Sequence, residues 1–160
     1  KHFFKSMNIY KSFADFANAQ IRNLDEISQN TIVRESAIVV AGAIKQRVEN
    51  FGADSDGVKI ETQSPQRFGA YSKSWGAKRA KKGRQTAIVD LNFTGAMWRD
   101  WKPVPTKNGW GATFVTKESM QKAFENQQIF RTLIFAPSDT EVQIGNNAMI
   151  QRVQKILKRR

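Results

Sequence analysis

The sequence predicts an α+β domain: long N-terminal helices packed on a small antiparallel or mixed sheet, with a C-terminal helix. Three observations lead to this class. In the first third of the chain, apolar residues recur every three or four positions, which is the period of an amphipathic helix. In the middle the period changes to two, which indicates strands. Helical spacing then returns near the end, and helices around short strands are typical of α+β domains.

The N-terminal part contains the longest predicted helix, over 31–51. Its apolar stripe is wide enough to need cover on more than one side, and Gly52 is well placed to end it. A second amphipathic segment lies before it. SQNT (28–31) offers cap residues for a break between the two, and one unbroken helix is the alternative. Residues 1–10 are expected to form an N-terminal arm.

Short strands are predicted in the middle of the chain, because apolar residues alternate there. The segments are GVKIET (57–62), AIVDLNF (87–93) and WGATFVT (110–116), with RTLIFAP (131–137) as a compact apolar run closed by a proline. TEVQIG (140–145) is either a further strand or the entry to the last helix.

Two helical pieces are predicted between the strands, TGAMWRDW (94–101) and KESMQKAFENQ (117–127), and the chain ends in a helix over 146–160. Within the first piece, Trp98 and Trp101 lie at helical spacing, which predicts core packing.

The length of 160 residues is that of about one domain, so 1–160 is predicted to be a single domain. The net charge of +12 is concentrated in two segments without acidic residues, 63–89 and the part beyond Glu141. A concentrated excess of this kind favours an acidic partner: nucleic acid, an anionic membrane or an acidic protein surface.

The most basic stretch is YSKSWGAKRAKKGRQ (71–85), within a segment, 63–86, that is predicted to be an extended, glycine-jointed arm. Its charges and rings suit phosphate contacts with base stacking, or docking on another protein, and a solvated loop is a further alternative. The tryptophans beside glycines, Trp75 and Trp110, suit anchors of a subunit interface. The predicted interface residues, toward protein or DNA, are Arg67, Tyr71, Lys73, Trp75, Lys78, Arg79, Lys81, Lys82, Arg84, Arg152, Lys155, Lys158, Arg159 and Arg160.

Residues with catalytic chemistry are scarce. There is no cysteine, the single histidine is His2, and no phosphate-binding glycine motif is present. Asp54 and Asp56 predict a turn rather than a calcium loop, because the glycine of DSDG comes too early. Asp90 and Asp100 are interpreted as surface carboxylates. No catalytic residue, cofactor or metal ligand is therefore predicted, and the chain is not expected to be an enzyme. No apolar run is long enough to span a membrane.

Four segments appear in a distinctive order: IKQRVENFGADSDGVKIE (44–61), YSKSW (71–75), GRQTAIVDLNFTGAM (83–97) and RTLIFAPS (131–138). This order resembles the tailed-phage virion-morphogenesis proteins, specifically the head–tail connector and tail-completion (neck) group. In that group a helix leads to a strand ending in Thr/Ser-Gly-x-Met or Leu, and a late Arg…Pro-small element precedes a final helix. The chain departs from the pattern at WKPVPTKNGWG (101–111) and in its N-terminal aromatic stretch.

The resemblance implies a structural virion protein, made in the host cytoplasm. It would form a homo-oligomeric ring, six- or twelve-fold, at the head–tail junction, and join the connector to the tail tube. Its partners would be neighbouring connector and tail proteins, with transient contact with packaged DNA and no membrane. A small basic DNA-binding protein is the alternative from the residues alone, and an enzyme is a third hypothesis.

Overall fold

The computed structural model describes residues 26–107 and 109–158. Ile32–Arg160 group into one compact unit, and of the other unit only Glu26–Thr31, the start of a helix, lie within the described residues. The described part is a mixture of five helices and two small antiparallel two-stranded sheets, so the predicted α+β class is confirmed. The predicted arm 1–10 and the first amphipathic segment lie outside the described residues, and the single domain over 1–160 stays a prediction.

The first helix, α1, spans Glu26–Gln46 and continues into a π-helical turn, Arg47–Phe51. It runs through 28–31 without a break, so the break predicted at SQNT does not occur. Whether this helix continues into the earlier amphipathic segment stays a prediction. Gly52 ends it at φ 58°, and the Gly52 N–H donates to the Val48 carbonyl at 3.0 Å. A left-handed residue at this position is best supplied by glycine, which has no Cβ to clash.

The segment predicted to be an extended arm, 63–86, is folded. Strands β1 (Arg67–Phe68) and β2 (Tyr71–Ser72) form a small hairpin, and helix α2 (Lys73–Lys81) follows at once. A glycine in the helix makes this packing possible: a Cβ at Gly76 would lie 2.6 Å from Phe68 Cβ and 2.7 Å from its carbonyl oxygen. The glycine therefore allows close packing here rather than backbone freedom, which corrects the prediction.

Three predicted strands, over 57–62, 87–93 and 131–137, do not form. The first contributes only a single bridge between Ala53 and Lys59. In the second, the Asn92 N–H donates to the Asp90 carboxylate at 2.9 Å. In these segments, side-chain acceptors take backbone N–H groups that a sheet would have paired, which alternation along the sequence cannot reveal.

The remaining elements pack in chain order. Helix α3 (Ala96–Asp100) leads into a hairpin of β3 (Trp101–Thr106) and β4 (Gly109–Phe114), whose register runs from Trp101↔Phe114 to Thr106↔Gly109. The strand predicted over 110–116 thus corresponds to β4, whereas β3 was not predicted.

Two long helices complete the described chain. Helix α4 spans Lys117–Phe130 and begins at Thr116, whose side chain accepts from the Ser119 N–H. Helix α5 spans Asp139–Leu157, so TEVQIG is the entry to the last helix and that helix begins earlier than predicted. Ser138 and Glu141 form a capping box at its N-terminus, each satisfying the other's backbone N–H.

The core is an aromatic cluster at the α3–β3–β4 junction. Trp98 is buried and packs against Trp101, Phe114 and Phe135, with ring centroids 5.9–6.4 Å from its own. The Trp101 indole also donates to the Ala41 carbonyl of α1 at 2.9 Å. The predicted core packing of both tryptophans is confirmed.

Candidate functional site

Helix α2 is held by a buried arginine. Arg79 is only 1% exposed, and its Nη2 lies 2.8 Å from Oδ1 and 2.9 Å from Oδ2 of Asp90. The Arg79 guanidinium also lies 4.5 Å from the Tyr71 ring centroid, and its Nε donates to the Gln85 carbonyl. An arginine with these contacts stabilises the packing of α2 and does not contribute to the exposed surface charge.

The Asp90 carboxylate accepts from three further donors, the Tyr71 hydroxyl, the Gln85 amide and the Asn92 N–H. The Tyr71 hydroxyl donates to Asp90 Oδ1 at 3.1 Å, and the Gln85 amide donates to Oδ2 at 2.6 Å. Burial raises the pKa of Tyr71 above its ordinary range, and the negative charge of Asp90 raises it further. Asp90 is therefore not the surface carboxylate that the sequence predicts: it is buried, and it joins α2 to the 85–92 segment.

The structure divides the predicted interface residues into four groups. Two, Tyr71 and Arg79, are buried in this unit and line the cavity described below, and their role at an interface stays a prediction. Two, Arg159 and Arg160, lie outside the described residues. Arg152 is half-buried, and the others are exposed, namely Arg67, Lys73, Trp75, Lys78, Lys81, Lys82, Arg84, Lys155 and Lys158.

The exposed basic residues from Lys73 to Arg84 come together on α2 and the turn that follows it; we call this the basic surface. Arg67 lies on β1 and is paired with Glu61, with Nη1 2.8 Å from Oε2. The C-terminal basic residues lie separately along the last turns of α5. There, Arg152 Nε lies 3.1 Å from a Glu35 carboxylate oxygen of α1.

A cavity of about 510 Å³ opens beside the basic surface. Buried side chains of the core, Tyr71, Met97 and Phe130, lie at its base. Its lining also includes Trp75 of α2 and Ile129 of α4, which are 38% and 58% exposed. The cavity is lined mainly by apolar and aromatic side chains, which is typical of a binding pocket.

Other cavity residues were not singled out from the sequence, among them Leu91 and Phe93. Phe93 packs on Trp75 with ring centroids 5.1 Å apart. Because the residues over 87–93 alternate in polarity, the sequence predicted a strand there and gave no sign that Leu91 and Phe93 line a cavity. A detectable signal was the charged Asp90 inside an apolar run, because such a residue is seldom buried without a partner.

Trp110, the second predicted interface anchor, lies on β4 and is half-buried. The guanidinium carbon of Arg34 in α1 lies 5.5 Å from its ring centroid, a cation–π contact within the unit. Its role as an interface anchor stays a prediction.

A second arginine tie was missed from the sequence. Arg47 Nε donates to Glu141 Oε1 at 2.8 Å, and its other nitrogens donate to the carbonyls of Ala53 and Ala136 at 2.9 Å and of Ile134 at 3.2 Å. Its partners come from distant parts of the chain, so no local pattern could have indicated the contact.

The described residues offer little for metal or membrane chemistry. Within 26–107 and 109–158, no group of three or more histidine, cysteine, aspartate or glutamate side chains could hold a metal ion. No helix in the same ranges is long and apolar enough to cross a membrane. Asp54 and Asp56 lie in a turn, as predicted: Asp54 Oδ1 accepts from the N–H groups of Asp56 and Val58.

Comparison with known proteins does not extend this picture: no family model matches the chain, and no curated protein or solved structure matches it significantly.

Proposed function

We propose that this chain is a structural subunit of a tailed-phage virion, which forms a homo-oligomeric ring at the head–tail junction and joins the connector to the tail tube. The order of sequence segments that resembles the neck proteins supports the proposal. In the structure those segments correspond to the end of α1, to β2 and the start of α2, to the Asp90 segment leading into α3, and to the turn before α5.

The observation that carries the proposal is the apolar surface of two helices. On α1, Ile38 and Val39 are exposed, and on α5 so are Val142, Ile150 and Leu157. The α5 residues lie on one side of that helix by their spacing of eight and seven, beside the buried face that includes Gly145. Soluble monomers rarely leave contiguous apolar surface exposed, whereas subunit interfaces are made of it.

The proposal is tested by the assembly state of the full chain. Native mass spectrometry and negative-stain electron microscopy should show closed rings of six or twelve copies. Replacing Val142 and Ile150 together by serine should give monomers with unchanged thermal stability, because both side chains are exposed. The matched control replaces the exposed Gln143 and Gln151 of the same helix by serine and should still assemble. A wild-type chain that stays monomeric at its highest soluble concentration would contradict the proposal.

A small basic DNA-binding protein is the second candidate, and the basic surface on α2 favours it. Lys81, Lys82 and Arg84 are exposed, which suits contacts with phosphates. The two candidates differ in a gel-retardation experiment with duplex DNA at ~0.15 M salt. No retardation supports the ring subunit. Tight binding that falls steeply with added salt supports the DNA-binding protein, because phosphate neutralisation releases counterions.

A further inference from the structure

We propose that the cavity beside α2 is a docking site for an acidic segment of a neighbouring protein, which inserts one large apolar side chain against Trp75, Phe93 and Ile129. The inference deepens the proposed function and rests on it for the identity of the neighbour, which would be an adjoining protein of the neck or tail. The docking chemistry itself follows from the cavity and the basic surface.

The size and lining of the cavity suit an apolar side chain. Its volume of about 510 Å³ lies within the range of ligand pockets and exceeds what one aromatic side chain needs. Trp75 and Ile129 are exposed at its edge, and Met97 and Phe130 are buried at its base. An inserted ring would therefore cover apolar surface that the isolated unit leaves in water, which favours binding.

The cavity is held in shape before any partner binds. Trp75 packs on Phe93, with ring centroids 5.1 Å apart, and Arg79 of the same helix forms a buried ion pair with Asp90. Leu91, which lines the cavity, has φ 51°, a strained value for a bulky residue. Strained backbone of this kind persists only where its surroundings determine it closely. A pocket already in place loses less conformational entropy on binding.

The charges beside the cavity select an acidic partner. Lys78 Nζ lies 4.9 Å from the Trp75 ring centroid and 5.8 Å from that of Phe93, so a positive charge stands at the apolar edge. Among the described residues, Lys78, Lys81 and Lys82 make no ion pair, and 63–89 contains no acid.

The α4 residues near the cavity carry charges of both signs. Lys122 lines the cavity there and is paired with Glu118, while Glu125 also lines it and accepts from the Gln121 amide. The positive potential therefore comes from α2, and acidic residues that flank the inserted side chain would meet it. Complementary charge of this kind directs the register and the rate of association.

The arrangement of the rings favours a protein over single-stranded nucleic acid. Trp75 and Phe93 pack on each other, which leaves no gap between them for a base to stack on both. Single-strand binding surfaces instead spread separate aromatic platforms along a basic groove. Here the basic surface is confined to one short helix and the turn that follows it.

The test is an NMR titration of the full chain with a short synthetic peptide, in which a central phenylalanine is flanked on both sides by aspartate and glutamate. Saturable shifts are expected at the Trp75 indole N–H and the Ile129 methyl groups. A peptide with serine for phenylalanine, and one with lysine for the acids, should each bind at least about tenfold more weakly. A short oligothymidylate is titrated in parallel.

Two variants separate the cavity from the rest of the surface. Ile129→Ser should weaken peptide binding about tenfold, while Leu133→Ser should leave it unchanged. Both side chains are largely exposed, and Leu133 does not line this cavity, so both variants should fold.

No shift at the cavity residues with the acidic peptide would overturn the inference, and so would equal binding of the lysine peptide. Displacement of the peptide by oligothymidylate would assign the site to nucleic acid and also overturn it. Rings that assemble without peptide binding refute this inference alone. A chain that binds the peptide but never forms rings retains the docking site and contradicts the proposed function.

Discussion

Arg47 and Arg79 form the same chemical contact over very different sequence distances. Arg79 binds Asp90, eleven residues away, and ties α2 to the segment that follows it. Arg47 binds Glu141, ninety-four residues away, and also donates to the carbonyls of Ala136, before α5, and Ala53, after α1. One arginine therefore closes a local loop beneath the candidate site, and the other joins the two ends of the unit.

Because of this difference, the two ion pairs should stabilise different parts of the molecule: one the candidate site, the other the whole unit. Removing one partner of a buried ion pair leaves the other charge buried without compensation, which costs about 3–5 kcal/mol. How much of the unit is destabilised should depend on how far apart the two partners lie in the sequence. Loss of Arg79 should loosen the basic surface first, and loss of Arg47 should lower the stability of the complete unit.

The largest effect is expected for Arg47→Met. It leaves Glu141 without its cation and removes the donor to three carbonyls, so unfolding should become easier by about 4 kcal/mol. Urea denaturation measures the change. Lys45→Met is the matched control two residues earlier and should change stability by less than about 0.5 kcal/mol, because its 3.8 Å pair with Glu49 is long and is not buried. Equal losses for the two variants would contradict the joining role.

Arg79→Met is expected to cost about 3 kcal/mol. The loss is smaller because Asp90 keeps the Tyr71 hydroxyl, the Gln85 amide and the Asn92 N–H as donors. Hydrogen exchange should show lost protection mainly in 67–92, with Lys81→Met as the exposed control on the same helix. A uniform loss of protection over the whole unit would contradict the local role of Arg79, because Arg47 is expected to have that effect instead.

Ser138→Ala should cost about 1 kcal/mol, which is the usual value for an N-cap. The serine side chain accepts from the Glu141 N–H, while Glu141 accepts from the Ser138 N–H. The substitution removes one half of the capping box and leaves the ion pair with Arg47. Thermal denaturation against the exposed control Thr140→Ala measures it. A loss as large as that of Arg47→Met would assign the joining role to the cap instead.

The smallest effect concerns alkaline stability around Asp90. Burial raises the folded-state pKa of Tyr71, so its stabilising contribution is complete below about pH 10, the ordinary tyrosine value, and is lost as the pH rises toward the folded pKa. Between about pH 9 and 11, wild type should therefore lose more stability than Tyr71→Phe, relative to each protein at neutral pH. Denaturation at a series of pH values measures the two slopes, and parallel slopes would contradict the buried, protonated tyrosine.

The sequence predicted the elements whose burial follows a regular period. The helix before Gly52, its end at that glycine and the core packing of Trp98 were all predicted, because each depends on residues within a turn or two. Cover on more than one side of α1 was also expected, but Ile38 and Val39 are exposed in the structure. The segment over 87–93 alternates like a strand, yet its backbone N–H groups bond to side chains: Asp90 N–H to the Tyr71 hydroxyl, and Asn92 N–H to the Asp90 carboxylate.

The candidate site was harder to predict for the same reason. The basic residues of α2 are evident in the sequence, but their division between core and surface is not. Arg79 is buried because it lies opposite Asp90, a position that the packing of α2 determines, whereas its neighbours Lys78 and Lys81 are exposed. The cavity depends on Trp75, Phe93 and Ile129, which come from three separate segments.

The contact at Gly145 has a consequence for how the chain can vary. A Cβ at this position would lie 2.5 Å from Val40 Cγ2 and 3.1 Å from Ser36 Oγ, so α5 touches α1 where a side chain is missing. That contact sets the rotation of α5 about its own axis. One residue inserted between Gly145 and Arg152 would turn the remaining helix by about 100° and carry Lys155 and Lys158 to another side. Variation in length should therefore be tolerated after Leu157 and rejected within α5.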